Sequence, residues 1–215
     1  MSASPSTLSD TALAGALLEI GAFRLRPDAP FQWASGWQSP VYCDNRQTLS
    51  YPQLRSQIAQ ALVGLVQAHF PQAGAVAGVA TAGIPQGALV ADRLGLPFAY
   101  VRSTPKAHGM GNQIEGQLQP GVPIVVVEDL VSTGKSSLQA VQALREAGHT
   151  VAGLVCIFTY GFAVADNLFA EHHLQLRSLT NLEALIAAGV SAGHLSPTQV
   201  AAIRQWQQQP ETWQP

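Results

Sequence analysis

At 215 residues with a formal net charge of −2 and a pI near 6.3, the chain has room for one substantial α/β domain. It offers no basic field for nucleic acid or an anionic membrane surface. Charged residues make up only 11% of the sequence, against roughly a quarter in an average protein, so each charge is informative by position, and the lysines are Lys106 and Lys135 alone.

Residues 1–9 are small and polar. From Asp10 onward Leu13, Leu17 and Ile20 recur at helical spacing, with Gly21 as a stop. Residues 31–44 look extended around a turn at Ser35-Gly36, and the Ser-Gly-x-x-Ser-Pro run reads, on its own, as a tight hairpin. Leu54, Ile58, Leu62, Leu65 and Val66 mark a long helix entered through Pro52 and stopped before Pro71. The chain then alternates: a strand over 76–80, a helix over 83–94, a strand over 97–101, an aperiodic segment over 103–119 and a strand over 122–127. A helix over 138–147, a strand over 151–159, a helix over 164–170 and a strand over 174–179 complete the pattern. Short helices follow at 182–188 and 197–208, the second capped by Ser196 with Pro197 in its first turn.

Such alternation predicts an α/β fold: a central, mostly parallel sheet flanked by helices, with ligands outside the strands' C-terminal ends. The organisation expected is an N-terminal helix and hood segment over 1–50, a core over 51–180, and C-terminal helices over 181–215 packing on the core or the hood. Cys43 and Cys156 match no metal or redox spacing and read as free thiols in a reducing compartment. No run approaches the roughly eighteen apolar residues of a membrane span, so the expectation is a cytoplasmic protein without membrane or nucleic-acid partners.

The chemistry concentrates between Val125 and Ser137. An uncharged β-branched run stops at Glu128 and Asp129, then passes through Val131, Ser132, Thr133, Gly134, Lys135 and Ser136 into a helical pattern. A helix N-terminus with hydroxyl donors and close backbone approach suits a phosphate monoester. Two carboxylates at a strand tip suit vicinal sugar hydroxyls or a hydrated magnesium ion. Together they describe a ribose 5-phosphate. A P-loop is excluded, since the glycine it needs five residues before Gly134 is Asp129. Thr81, Ala82 and Gly83 follow a buried strand and open a helix, a second anion site. Arg102, Lys106 and His108 lie in a glycine-hinged segment after another strand, where cations would neutralise charge on a departing pyrophosphate. The histidine pair His172-His173 matches no chelating spacing, and no zinc site is expected.

These segments, taken in order, resemble the orotate phosphoribosyltransferases. The resemblance is carried by Phe31-Gln32-Trp33-Ala34-Ser35-Gly36 with Ser39-Pro40, Asp44-Asn45-Arg46, Thr81 to Pro85, Arg102 to Gly109 with Gly111 to Gly116, and the acidic motif. Trp206 and Pro210-Glu211-Thr212-Trp213 are similar to the family's tail. The likeness implies a type I phosphoribosyltransferase fold with a small N-terminal hood and a homodimer whose lid loop is shared across subunits. The implied reaction is Mg²⁺-dependent transfer of ribose 5-phosphate from phosphoribosyl pyrophosphate (PRPP) to N1 of orotate.

By matching position it implies Lys106 as the mobile catalytic lysine, Arg102 and His108 as pyrophosphate ligands, and Glu128 and Asp129 on the ribose hydroxyls. Val131 to Ser136 would cradle the 5-phosphate, and orotate would lie near Ser35, Gly36, Tyr42 and Ser132. No protein group is implied as a direct metal ligand; Mg²⁺ would be held mainly by PRPP, through water to Glu128 and Asp129. Where many members carry Lys, this chain has Ala34, Ala82 and Ser103, which throws more charge stabilisation onto Lys106, Arg102 and Mg²⁺. Two rivals are a phosphoribosyltransferase for another base, against which the 31–46 segment argues, and a PRPP-sensing regulator, which needs a basic face that the composition lacks.

Overall fold

Short β-branched runs separated by helix-forming segments build a parallel sheet, and the computed structural model, which describes residues 8–33, 36–104 and 113–214, has one at its centre. Chain order begins with α1 (Asp10–Glu19), β1 (Phe23–Leu25), β2 (Phe31–Gln32), β3 (Gln38–Ser39), β4 (Val41–Cys43) and a 3-10 helix (Asn45–Ser50). Next come α2 (Pro52–His69), β5 (Ala75–Val79), α3 (Gly83–Leu94), β6 (Phe98–Val101), β7 (Ile114–Glu115) and β8 (Ile124–Val131). The remainder is α4 (Lys135–Glu146), β9 (Val151–Thr159), α5 (Ala163–Glu171), β10 (Leu176–Asn181), α6 (Leu182–Ser191) and α7 (Pro197–Gln208).

The chain divides into two compact units, one of residues 58–178 and one of residues 1–57 with 179–215. In the larger, the six-stranded sheet runs β10-β9-β8-β5-β6-β7, with β9, β8, β5 and β6 mutually parallel and β7 antiparallel at the edge. Its core alternates along the strands as a pleated sheet requires: Ala75, Ala77 and Val79 of β5 and Ile124 and Val126 of β8 share a buried layer with Val141 and Leu144 of α4. In the smaller unit, β1 pairs with β4 and β2 with β3, both antiparallel. There α7 is set by a full capping box, in which the Ser196 hydroxyl accepts from the Gln199 N–H and the Gln199 side chain accepts in return.

Four features differ from the sequence expectations. The acidic strand does not end before its carboxylates. The segment 103–119 is not wholly irregular, since Ile114 and Glu115 pair with Val101 and Tyr100. β1 was not foreseen. The last strand runs over Leu176–Asn181 rather than 174–179.

Candidate active site

The acidic pair is built into β8. The strand continues past it because β9 keeps pairing, Glu128 opposite Cys156 and Leu130 opposite Phe158. A paired strand flanked by α4 leaves little room for solvent, so Glu128 is only 6% exposed, while Asp129 is half-buried. Glu128 Oε1 accepts from the Asp129 N–H at 3.1 Å, and Oε2 accepts from the Ser137 hydroxyl of α4 at 3.5 Å. Burial first, and then the adjacent Asp129 carboxylate, hold the Glu128 carboxyl well above the usual carboxylate range. Such a pair favours a ligand that donates hydrogen bonds or brings positive charge. The same burial, with Glu128 and Asp129 nearby, pushes the Cys156 thiol up; its Sγ–H donates to the Phe158 carbonyl at 3.3 Å, so Cys156 is an inert core group.

Beyond Val131 the chain turns through half-buried Ser132 and Thr133 to Gly134, whose φ of 77° is left-handed. Gly134 is also pressed against α5, where a Cβ would sit 2.7 Å from Phe169 Cζ. The first turn of α4 starts immediately after, and its leading N–H groups, those of Lys135, Ser136 and Ser137, have no acceptor within the helix. They face the loop as an anion cradle. Lys135 is exposed and lines, with Thr133, Asn167 and Glu171, a shallow depression of about 380 Å³ against α5.

The turn at Ala80 to Gly83 joins β5 to α3, and the Ala80–Thr81 peptide is cis. Thr81 is exposed and Ala82 half-buried at the head of α3. Gly83 is wedged against the acidic strand: a Cβ there would lie 2.5 Å from the Val127 carbonyl oxygen and 3.3 Å from Glu128 Cα. Only a glycine lets the second anion site approach the carboxylates this closely. The third strand end joins through the Ala80 N–H, which donates to the Val101 carbonyl at 2.9 Å.

Arg102 follows Val101, and its guanidinium reaches Glu115 of β7 at 3.5 Å. The Arg102 N–H donates to the Gln113 carbonyl at 2.9 Å, and the Gln113 amide donates back to the Arg102 carbonyl at 2.8 Å. Lys106 and His108, expected on the segment between these stems, lie outside the described residues, as does Ser35. Thr81 to Gly83, Arg102, and Glu128 to Ser136 thus come together at the C-terminal ends of β5, β6 and β8. Glu115 is a partner that sequence reasoning assigned no role, and Ser137, read from sequence among the hydroxyl donors of the phosphate loop, here donates to Glu128. For Glu115 the available signal was its place in the Gln113-Ile114-Glu115-Gly116 run.

In the smaller unit, Gly36 is exposed with a φ of 88°, and Tyr42 is half-buried with its ring 5.4 Å from Phe31. Asp44 accepts from Arg46 at 2.6 Å, and that bond holds its carboxyl below the usual range. Among the described residues no three His, Cys, Asp or Glu side chains gather as a metal cage, and no helix is long and apolar enough to cross a membrane.

Residues 49–172 match the family described as Phosphoribosyl transferase domain. The chain is 53% identical to the orotate phosphoribosyltransferase of Bacteroides fragilis over 92% of its length and 93% of that protein. It is 52% identical to the enzyme of that name from Bacillus caldolyticus, covering 94% and 97% respectively. Among solved structures, orotate phosphoribosyltransferase from Aeropyrum pernix superposes with a TM-score of 0.73 at 32% identity, covering 86% of this chain and 99% of that one.

Proposed function

Because this chain belongs to the orotate phosphoribosyltransferases, enzymes of the type I phosphoribosyltransferase fold that transfer ribose 5-phosphate from PRPP to N1 of orotate, giving orotidine 5′-monophosphate and pyrophosphate in pyrimidine biosynthesis, we propose the following division of labour among its residues. Ser132, Thr133, Gly134 and the first turn of α4 hold the 5-phosphate, with Val131 and Ser136 framing the cradle. Glu128 and Asp129 accept from the ribose hydroxyls. Thr81, Ala82 and Gly83 hold the pyrophosphate with Arg102, and Lys106 and His108 complete its charge neutralisation. Lys135 serves the rim of the cradle rather than its floor, which its exposure supports. Orotate is bound by Ser35, Gly36, Tyr42 and Ser132, as the family resemblance implies.

Breaking the bond between C1 of the ribose and the pyrophosphate leaves an oxocarbenium-like sugar. The protein's task is to hold ring, nucleophile and leaving group in line and to stabilise the departing charge. Orotate arrives with an ionisable N1, so no residue is assigned as a general base. The observation that carries this reading is the close seating of Gly83 on Val127 and Glu128, which brings the Thr81–Gly83 turn against the acidic strand and so supports one substrate engaging both.

Mg²⁺ fits the same carboxylates. Glu128 is buried beside a second carboxylate, and burial first and that carboxylate second hold its carboxyl well above the usual range, which a dication would offset; Mg²⁺ is commonly bound by one or two carboxylates together with substrate phosphates. Glu128 and Asp129 would hold the ion through water, and when bound it supplies charge neutralisation to the pyrophosphate. The enzyme is proposed to act in the cytoplasm as a homodimer in which the segment bearing Lys106 serves the partner's site.

The test is an absorbance assay of orotate loss with and without PRPP and Mg²⁺, run beside pyrophosphate release with uracil, adenine and guanine. Turnover with orotate that needs both PRPP and Mg²⁺ is the expected result. Preference for another base would refute the acceptor assignment and leave the donor site standing.

A further inference from the structure

The C-terminal helix carries a tryptophan that the reaction as described does not use. Trp206 is 0% exposed, although tryptophan is seldom buried completely. Its Nε1–H donates to the Gln38 carbonyl at 3.0 Å, and its ring meets Trp33 edge-on with centroids 5.9 Å apart. Trp33 in turn stacks on Trp37 at 6.4 Å and 18°. Trp33 and Gln38 stand on opposite arms of the β2–β3 hairpin, whose arms are joined by the Trp33 N–H bonding the Trp37 carbonyl and the Gly36 N–H bonding the Trp33 carbonyl, both at 2.9 Å. One side chain of α7 therefore grips both arms, one by a hydrogen bond and the other by an aromatic edge.

The hairpin needs such a grip. Its strands are two residues long, and a two-stranded ribbon is marginal in water by itself. Its turn passes through exposed Gly36 in a left-handed conformation, so the local sequence leaves the backbone other shapes to adopt. Meanwhile α7 is fixed independently, by its capping box and by Gln199 Nε2 donating to Asp28 at 2.6 Å. The chain after it folds back so that Trp213 is 8% exposed.

We propose that Trp206 is a positioning residue for the acceptor: from α7 it holds Trp33 and Gln38, on either side of Gly36, in place for binding of the planar pyrimidine carboxylate, so the C-terminal helix sets orotate affinity without touching the base. This rests on the assignment of orotate to the turn bearing Gly36. Trp206→Phe keeps a ring edge for Trp33 and removes the donor to Gln38. The expected result is a rise in KM for orotate of about fivefold, the factor one net hydrogen bond represents, with KM for PRPP and kcat nearly unchanged. Trp33→Leu, which removes the hairpin's ring and leaves α7 intact, is expected to give the same selective rise and carries the test if Trp206→Phe does not fold. A merely structural role lowers the melting temperature and the active fraction but leaves both KM values alone, and that outcome overturns the proposal. Gly36→Ala separates the two readings. If it raises KM for orotate while neither tryptophan variant does, the positioning role fails and the acceptor assignment survives. If it leaves KM for orotate unchanged, the acceptor assignment itself fails, and the positioning role with it.

Discussion

Replacing Gly83 by alanine tests whether the close seating of the pyrophosphate turn on the acidic strand is what makes one site of two. The added methyl would meet the Val127 carbonyl oxygen at 2.5 Å and Glu128 Cα at 3.3 Å. Ordinary contact requires the two backbones to part by about 1 Å, and β8 cannot give way cheaply, since it pairs on one side with β5 and on the other with β9. Overpacking of this kind costs about 1–3 kcal/mol, and in a chain of this size each kcal/mol lowers Tm by about 2–4 °C. A displacement of about 1 Å between groups holding one substrate costs on the order of 10²-fold in rate. Thermal melting and kcat/KM for PRPP, measured on the same preparation, read the two effects separately. A folded Gly83→Ala protein with kcat/KM for PRPP close to wild type would refute the claim that this spacing is catalytic.

Three further outcomes are expected. Glu128→Gln removes a buried acid whose raised pKa makes the folded chain hold more protons than the unfolded one between the ordinary carboxylate range and the raised value, so wild-type stability falls as pH rises through that window. The variant, melted without substrate, should therefore be more stable than wild type above the window and lose that advantage in acid, while its KM for PRPP rises; a constant offset at all pH would sink the argument. Lys106→Ala should lower kcat by roughly 10²–10³ with the melting curve unchanged, and mixing it with Asp129→Asn protein should restore part of the activity if the loop serves a partner's site. No recovery in verified mixed dimers would mean that the loop acts within its own subunit. Ser196→Ala deletes the hydroxyl that caps α7 and should cost about 1 kcal/mol, read as a Tm lower by a few degrees, with turnover per folded molecule retained.

What could be read from sequence was whatever is encoded locally. The helix over Gly83–Leu94 and the helix over Pro197–Gln208 fall where periodicity and the Ser196-Pro197 start placed them, because caps and amphipathic spacing are short-range chemistry. The end of β8 was misplaced for the opposite reason. Carboxylates normally end a buried strand, but here Cys156 and Phe158, nearly thirty residues away, keep pairing with it. β1 and β7 are three and two residues long, too short for any periodicity, and exist because β4 and β6 present edges to them. At the site, the residue types of the donor loops were legible because phosphate, diol and pyrophosphate each demand a recognisable composition. The ion pair of Arg102 with Glu115 and the bond of Ser137 to Glu128 were not, since both depend on which elements the sheet order makes neighbours. The acceptor half was legible only through family resemblance, as an aromatic hairpin carries no chemistry specific to one base.

The clasp between Arg102 and Gln113 has a consequence for how this enzyme can be altered. Two hydrogen bonds, at 2.9 and 2.8 Å, close the base of the intervening segment just outside the β6–β7 pair. With Arg102 and Gln113 pinned, the length and composition of what lies between them should be exchangeable without reopening the sheet, since doubling a loop's length costs only about 0.6 kcal/mol in closure entropy. Grafts that keep Arg102 and Gln113 should therefore fold, so that leaving-group chemistry can be varied by library while the ribose site stays constant.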